Sequence, residues 1–368
     1  MSKTKGRKNE GDDSDDEEQS DSDSEDGNAG DDDATLSYRS IPHNGGVNRI
    51  RAQQMPMPYS TPAPEPPNGN YFVATFSETG KVHIFDIATH LHSLQNPKNF
   101  GGVDTLNNKP VYTVESHKRA EGFALAWSAP IPSSNATRLL SGDIHSKIYM
   151  TNLTPSGFQV SSGAPFASHT SSIEDLQWSP TESTVFGSVS ADRSLRIWDI
   201  RVRDRKSVVS ATAAHESDIN VMSWNALTSY LVVTGGDEGG LKVWDLRNMK
   251  SGSKGSSKSS AEPVASFNWH QSPITSVEWH PTEDSIFGAS SADDSVTLWD
   301  LAVERDEDEG PVNSSGAKQD KTKDVPPQLL FVHQGQKEIK EIHWHPQIPG
   351  AMISTSLDNF AIFKTISV

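Results

Sequence analysis

The chain has 368 residues, of which 33% are hydrophobic, and a formal net charge of −17 at pH 7. This length suits one large repeat domain or two ordinary domains. Cysteine is absent, which excludes disulfides and thiolate metal sites. The N-terminus lacks the apolar stretch of a signal peptide, and no run approaches the roughly 18 apolar residues of a membrane span. Composition therefore predicts a soluble intracellular protein that does not act at a membrane.

The negative charge is concentrated at the N-terminus. Residues 1–33 contain fourteen acidic and four basic residues. The stretch 11–27 has no apolar residue to bury and repels itself, so we predict that residues 1–35 form an acidic disordered tail. Within it, three serines each precede an acidic residue by three positions, a pattern that resembles substrates of acidophilic kinases. These candidate phosphorylation sites are Ser14, Ser20 and Ser22.

Beyond the tail the chain repeats one pattern. In three units a His is followed after 9 residues by one Trp and after 29 residues by the Trp of a Trp-Asp pair. These units begin at His169, His215 and His270. Looser copies begin at His43, His117 and His333, which makes six units. Such regular repetition indicates one repeat domain rather than two unrelated domains.

Within each unit the local signals are those of strands and turns. Alternating stretches such as ITSVEW (274–279) precede a short apolar run, an Asp-containing turn and the Trp-Asp strand. No long helix is indicated. Four short strands per unit and the Trp-Asp ending are typical of a WD-repeat β-propeller. We therefore predict an all-β fold over residues 36–368, with polar inserts at 52–70, 250–262 and 303–327.

The repeated His, turn Asp and Trp predict a structural set in each blade. Buried polar groups need partners, and each of these side chains can serve another. The three sets are His169, Asp192 and Trp198; His215, Asp237 and Trp244; and His270, Asp293 and Trp299. Catalysis by these histidines is disfavoured because no Ser or Cys nucleophile on a sharp turn accompanies them.

Other chemical signatures are weak. The glycines of GGDEGG (235–240) lack the Lys-Ser/Thr of a phosphate-binding loop. HWHP (343–346) could place two His on one face of a strand, but the copy WHP at 279–281 indicates a strand exit rather than a metal site. We therefore expect no catalytic site, no metal and no cofactor.

Six segments narrow the family further: EGFALAW (121–127), SIEDLQWSPTESTVFGSVSAD (172–192), TSVEWHP (275–281), LWDLAVERD (298–306), PPQLLFVHQG (326–335) and FKTISV (363–368). They resemble the glutamate-rich WD-repeat proteins, which are nuclear and nucleolar chaperones of ribosome assembly related to histone-binding WD-repeat subunits. The resemblance implies a seven-bladed propeller, of which six units are visible here. It also implies a non-enzymatic chaperone in the nucleus and nucleolus, whose clients are basic: a large-subunit ribosomal protein or histones.

Four acidic residues stand four to six positions before the first Trp of their units: Glu121, Glu174, Asp218 and Glu338. Loops that enter the innermost strands line one face of a propeller, so we expect an acidic arc there. The resemblance implies that the first three hold a basic peptide. Pro273 interrupts the pattern in the fifth unit. The alternative is an ordinary solvated rim.

A second acidic element lies in the insert VERDEDEG (303–310), with Glu304, Asp306, Glu307, Asp308 and Glu309. In the related histone binders the matching insert forms a groove together with an N-terminal helix, and that helix is absent from this sequence. The net charge disfavours direct binding of nucleic acid. A general scaffold, or a substrate receptor of a ubiquitin ligase, remains the alternative function.

Closure of the propeller has two possible forms. In one, LSYRSI (36–41) pairs with the first unit and leaves an open, incomplete seven-bladed ring. In the other, LSYRSI pairs with the last unit and closes a six-bladed ring. We expect the open form, because the packing angles between blades are encoded by their side chains.

Overall fold

The computed structural model describes residues 37–54, 69–95, 106–129, 137–249, 261–304, 325–357 and 359–365. The predicted tail with Ser14, Ser20 and Ser22, and the insert residues 306–309, lie outside the described residues, as do the central parts of all three polar inserts. The chain divides into two compact units, Met1–Arg39 and Ser40–Val368. Everything below concerns the second unit.

The second unit consists of six antiparallel sheets. Sheet 1 contains β1 (Val47–Ala52), β2 (Phe72–Ser77), β3 (Val82–Asp86) and β4 (Tyr112–Val114). Sheet 2 contains β5 (Ala124–Trp127), β6 (Arg138–Gly142), β7 (Ile148–Thr154) and β8 (Gly157–Val160). Sheet 3 contains β9 (Ile173–Trp178), β10 (Val185–Ser190), β11 (Leu195–Asp199) and β12 (Val209–Ala211).

The remaining sheets follow the same order along the chain. Sheet 4 contains β13 (Ile219–Trp224), β14 (Leu231–Gly236), β15 (Leu241–Asp245) and β16 (Ala265–Phe267). Sheet 5 contains β17 (Ile274–Trp279), β18 (Ile286–Ser291), β19 (Ser295–Asp300) and β20 (Leu329–Gln334). Sheet 6 has three strands, β21 (Glu341–Trp344), β22 (Ala351–Thr355) and β23 (Phe360–Lys364). The one helix of the described chain, α1 (Ala88–Gln95), follows β3.

The first strand of every sheet lines one central channel. This is the arrangement of a β-propeller, so the predicted all-β repeat fold and its six units are confirmed. Because each central sheet is packed on both faces, its middle strands are buried along almost their whole length, as in β10. Close packing also dictates some residue types: a Cβ at Gly187 would lie 2.7 Å from Cε of Met222 in the next sheet.

Apolar packing joins the sheets in sequence. Five clusters of buried side chains each join one sheet to the next, from sheets 1 and 2 through to sheets 5 and 6. Within the described residues no such cluster joins sheet 6 to sheet 1. Those two sheets meet instead through an ion pair between Arg51 Nη1 and Glu341 Oε1 at 2.5 Å. Residues 40 and 41, the part of LSYRSI that belongs to the second unit, form no strand.

Indole hydrogen bonds add a second link between neighbouring sheets, which we call the indole ladder. The Trp that ends the first strand of a sheet donates its Nε1–H to a backbone carbonyl in the preceding sheet. The four pairs are Trp127 to Arg51 (2.9 Å), Trp178 to Ala126 (3.1 Å), Trp279 to Ser223 (3.0 Å) and Trp344 to Glu278 (3.1 Å). Trp224 instead uses its backbone N–H, which donates to Gln177 Oε1 at 2.6 Å.

Candidate binding face and central channel

The His-centred sets are present and buried. His169 Nδ1 lies 2.9 Å from Asp192 Oδ2, and its Nε2 lies 2.6 Å from Ser188 Oγ. Trp198 Nε1 donates to the same hydroxyl at 2.7 Å. An indole can only donate and an ionised carboxylate can only accept, so the hydroxyl donates to Nε2 and Nδ1–H donates to the carboxylate. Burial lowers the pKa of His169, which agrees with a neutral ring that fixes this direction.

The serine or threonine hydroxyl in each set was missing from the sequence-based prediction. In the set of His215, Thr234 Oγ1 bridges to Trp244, with distances of 2.8 and 2.9 Å. Both bridging residues stand ten positions before their Trp, a spacing that could have identified them. In the set of His270 that position holds Ala289, and Thr297 Oγ1 takes the role, 2.8 Å from His270 Nε2 and 2.8 Å from Trp299 Nε1.

The acidic member of the second set was predicted wrongly. His215 Nδ1 binds Glu238 Oε1 at 2.5 Å and not Asp237. The carboxylates of Asp192 and Asp293 stand 23 residues after their His, and Glu238 keeps that spacing. The prediction followed the Asp residue type, whereas the turn geometry selects the position. Burial opposes ionisation of Glu238, but hydrogen bonds from His215 and Ser217 outweigh it and lower the pKa of Glu238 to about 2.

Asp237 therefore belongs to the exposed face rather than to a structural set. Its backbone N–H donates to the carbonyl of Asp218 at 2.9 Å, and its Oδ1 accepts from Asn220 Nδ2 at 3.2 Å. Its side chain is exposed next to one of the predicted arc residues. Asp237 is thus an additional acidic residue at the position where the arc was expected.

The four residues of the predicted arc do not form a single row, because they lie at different distances from the end of the first strand of their sheets. The same backbone hydrogen bond, from the turn after the second strand to the loop before the first, recurs in every sheet. Its acceptors are the carbonyls of Gly46, Glu121, Ser172, Asp218, Pro273 and Lys337. Glu121 and Asp218 therefore hold equivalent outer positions. Glu174 lies two residues further along its strand, level with Asn220, and Glu338 lies one residue past the equivalent Lys337.

The carboxylates of the predicted arc differ in the groups that surround them. Burial, and then the charge of Asp218, raise the pKa of Glu174, against the opposing effects of Ser172 and Arg49. Glu121 Oε2 accepts from Asn48 Nδ2 at 3.2 Å. Glu338 is exposed and its Oε2 accepts from Lys340 Nζ at 3.2 Å.

The acidic surface is accordingly concentrated on sheets 2 to 4. We call it the acidic face and define it by Glu121, Glu174, Asp218 and Asp237. Sheets 5 and 6 present Pro273 and Lys337 at the equivalent outer positions. Glu304, from the predicted acidic insert, is exposed in the connection between β19 and β20 of sheet 5.

Several charged side chains of the channel are paired with one another. Arg51 and, at 3.9 Å, Arg49 face Glu341, whose pKa falls to about 2 because His343 and the two arginines outweigh its burial. His343 Nδ1 lies 2.9 Å from Glu278 Oε2. Burial opposes the charged ring of His343, but both glutamates outweigh it and raise its pKa to about 10. The described chain contains no cluster of His, Asp or Glu suited to a metal ion.

HWHP follows this structural pattern. His343 makes the carboxylate contacts above, while His345 Nδ1 accepts the backbone N–H groups of Gln347 and Ile348 at 3.1 and 3.0 Å. The second His therefore shapes the turn at the strand exit. Among the described helices none has the length and apolar character needed to cross a membrane.

Comparison with known proteins agrees with this architecture. A family model described as WD domain, G-beta repeat matches residues 160–199, 206–245 and 261–300. Ribosome assembly protein rrb1 of Schizosaccharomyces pombe is 48% identical over 337 residues, which cover 92% of this chain and 65% of the relative. Glutamate-rich WD repeat-containing protein 1 of Dictyostelium discoideum is 42% identical over 333 residues, 90% of this chain and 61% of the relative.

A more distant relative is histone acetyltransferase type B subunit 2 of Candida glabrata, 25% identical over 337 residues, which cover 89% of this chain and 66% of the relative. The chain thus spans 61 to 66% of the length of these three relatives. Repeats, sheets and sequence identity agree: the chain contains WD repeats and is similar over most of its length to ribosome assembly protein rrb1 and glutamate-rich WD repeat-containing protein 1.

Proposed function

We propose that this protein is a non-enzymatic chaperone that binds basic clients in ribosome biogenesis or chromatin assembly. The clients are a large-subunit ribosomal protein, histones, or both, and the site of action is the nucleus and nucleolus. The names of the relatives support these two settings, one through ribosome assembly and the other through a histone acetyltransferase subunit. Binding rather than catalysis accounts for the chemistry of the described residues, because the buried histidines are held in structural sets.

The observation that carries the proposal is the repulsion between neighbouring carboxylates of the acidic face. Burial and the charge of Asp218 disfavour the ionised form of Glu174. A Lys or Arg side chain placed between these carboxylates relieves the repulsion and stabilises both charges. The exposed carboxylate of Asp237 adds a third acceptor beside them. A peptide with several positive charges therefore suits sheets 2 to 4 better than sheets 5 and 6.

The N-terminal charge supports the same function at longer range. Fourteen acidic residues among the first 33 give a field that attracts a Lys/Arg-rich client, and salt screens this attraction. Phosphorylation of Ser14, Ser20 and Ser22 would strengthen it. We propose that the tail accelerates encounter and that the acidic face holds the client.

The test is binding of a fluorescent Lys/Arg-rich peptide, measured by anisotropy over a range of salt concentrations. Neutral isosteres at the face, Glu121→Gln, Asp218→Asn and Asp237→Asn together, remove three charges. Exposed charge pairs contribute about 0.2–1 kcal/mol each, so Kd should rise roughly 3- to 150-fold. The control is Glu283→Gln, an exposed acid in the turn between β17 and β18. An equal loss of binding free energy per removed charge in both variants would mean that only net charge matters.

A pull-down followed by mass spectrometry separates the proposal from its alternative. Basic proteins should dominate the bound fraction and leave as salt rises. Partners of mixed charge that resist salt would favour a general scaffold or a ubiquitin-ligase substrate receptor. The same experiment identifies the client as ribosomal protein or histone.

A further inference from the structure

Basic charge is concentrated on one outer part of sheets 2 and 3, although the chain as a whole carries a net charge of −17. Residues 144–173, which include the two outer strands of sheet 2, contain no Asp or Glu. The connection between β11 and β12 of sheet 3, residues 200–208, contains four basic residues and one acidic residue. The basic residues are Arg201, Arg203, Arg205 and Lys206. This part of the surface therefore suits an anionic partner, in contrast to the acidic face.

A recess of about 370 Å³ opens where these two segments meet. Cross-strand register pairs Asn152 of β7 with Gln159 of β8, so their side chains lie on the same face of sheet 2. The recess has no acidic residue in its lining, which consists of Asn152, Gln159, Val160, Ser161, Ser162 and Arg205. We call it the Arg205 recess. It offers an anion a cationic group without a competing carboxylate in the lining.

The guanidinium of Arg205 is held in place by its surroundings. Its Cζ lies 4.8 Å from the centroid of the Phe166 ring, which is fully buried. Its Nη2 donates to the carbonyl of Ser162 at 3.1 Å. A guanidinium has five N–H donors, so most of them remain available to a ligand. Because the ring and the carbonyl already fix the group, an anion that binds here orders little of the side chain.

Gly163 leaves one side of this guanidinium uncovered. Its φ is +120°, a backbone conformation that residues with a side chain rarely adopt. A Cβ at this position would lie 3.3 Å from Nη2 and 3.5 Å from Cζ of Arg205. Any larger residue would therefore place its side chain directly against the guanidinium. The glycine keeps the cation accessible.

Two further donors belong to the same recess. Ser161 Oγ accepts from Asn152 Nδ2 at 2.8 Å. A hydroxyl that accepts one hydrogen bond still has its own O–H to donate, and within the described part of the chain no group accepts it. Gln159 is exposed, so its amide group is free to turn towards a ligand. The recess thus combines one fixed cation with two neutral donors from the edge of sheet 2.

We propose that the Arg205 recess binds the phosphate of a phosphoserine or phosphothreonine in an acidic segment of a partner protein. A phosphate monoester carries a charge of about −1.5 to −2 and three acceptor oxygens, so it can engage Arg205, Ser161 and Gln159 together. A carboxylate has two oxygens in one plane, and a single guanidinium fork already pairs both of them. The donor set therefore matches a phosphate better than an Asp or Glu side chain.

The surroundings of the recess favour acidic residues next to the phosphate. Arg203 and Lys206 are exposed on the same connection as Arg205, and clusters of basic residues of this kind recognise phosphorylated acidic motifs. The recess lies at the outer strands of sheet 2, whereas the acidic face lies at the inner strands. The proposal is accordingly independent of the binding of basic clients.

The test is fluorescence anisotropy with a labelled peptide in which one phosphoserine is followed by several acidic residues, titrated with the full chain in unphosphorylated form. The same peptide without phosphate should bind roughly tenfold more weakly, or worse, because it loses charged hydrogen bonds to Arg205 and Ser161. Arg205→Lys keeps the charge but removes the fork, so it should lose most of this preference for the phosphorylated peptide.

A substitution at the rim avoids any effect on folding. Gln159→Glu adds a negative charge at an exposed position of the recess and should weaken binding of the phosphopeptide by roughly tenfold. The matched control is Gln347→Glu, which adds the same charge in the exposed turn between β21 and β22 and should change Kd by less than about twofold. Asp218→Asn, at the acidic face, should not weaken binding of the phosphopeptide.

Three results would overturn the proposal. The first is equal binding of the phosphorylated and unphosphorylated peptides. The second is an equal effect of Gln159→Glu and Gln347→Glu, which would reduce the interaction to net charge. The third is a single-stranded oligonucleotide of the same charge that binds more tightly than the phosphopeptide and is weakened by Gln159→Glu, since that would assign the recess to nucleic acid.

Discussion

Separate substitution of two neighbouring acidic residues, Glu238 and Asp237, tests the assignment of Glu238 to the structural set of His215. Glu238→Ala removes the carboxylate that binds His215 Nδ1 and Ser217 Oγ, both at 2.5 Å. His215 is 2% exposed, so its Nδ1–H is left buried and unpaired. An unsatisfied buried group costs about 1–3 kcal/mol, and loss of a charged hydrogen bond lies at the upper end of that range. We expect the free energy of unfolding to fall by about 2–3 kcal/mol.

Asp237→Ala is the matched control. Its side chain is exposed and accepts one hydrogen bond, from Asn220, so the expected loss is below about 0.5 kcal/mol. Urea unfolding followed by tryptophan fluorescence measures both variants, and the m-value should stay unchanged. If Asp237→Ala is as destabilising as Glu238→Ala, the assignment of Glu238 is wrong.

The pH dependence provides a second check of the same carboxylate. The folded-state pKa of Glu238 is about 2, below its ordinary value of 4.5. A lowered carboxyl pKa contributes stability that is present above about 4.5 and is lost as the pH falls towards 2. The stability difference between wild type and Glu238→Ala should therefore be constant near pH 7 and shrink below pH 4.5. A difference that grows on acidification would contradict the hydrogen bonds to the ionised carboxylate of Glu238.

Three further predictions follow from the fold and the tail. Trp198→Ala should lower the free energy of unfolding by about 3–5 kcal/mol, because it empties a fully buried site, and thermal or urea unfolding measures this. Deletion of residues 1–33 should slow association with a basic peptide at low salt in stopped-flow experiments, while the circular dichroism spectrum of the sheets is retained. In the unmodified chain, amides of residues 360–364 should exchange faster than those of residues 195–199, since β23 is an edge strand and β11 is paired on both sides; equal protection would indicate a closed ring.

Periodicity was sufficient to predict the architecture. The double spacing from His to two Trp residues recurs in three units. The chain must therefore follow the same path in each unit, as it does in a repeated sheet. Strand alternation then placed Trp198, Trp244 and Trp299 in the core, where they are fully buried. These predictions succeeded because burial and periodicity act on many residues at once.

Single positions were harder to predict because local geometry selects them. Glu238 replaced the expected Asp237 since the turn places the second residue after the strand beneath the His ring. Likewise, Glu121 stands six residues before its Trp and Glu174 stands four. This difference of two residues places the two side chains at different depths in their sheets. The residue type alone does not determine which of two nearby positions contacts a given partner. The hydrogen-bonding register of the strands and turns determines it.

The indole ladder has a consequence for how the molecule comes apart. Sheets 2, 3, 5 and 6 each donate an indole hydrogen bond to the sheet before them, and sheet 4 donates the backbone N–H of Trp224 instead, so the blades behave as a linear array in which stability depends on nearest neighbours. Sheets 2 to 5 are held from both sides and should open only when the whole domain unfolds. Sheets 1 and 6 are each held from one side, apart from the ion pair between Arg51 and Glu341. Opening should start at these two end sheets and proceed inwards, so the lifetime of the folded protein against proteolysis is governed by its end sheets and not by its best-packed ones.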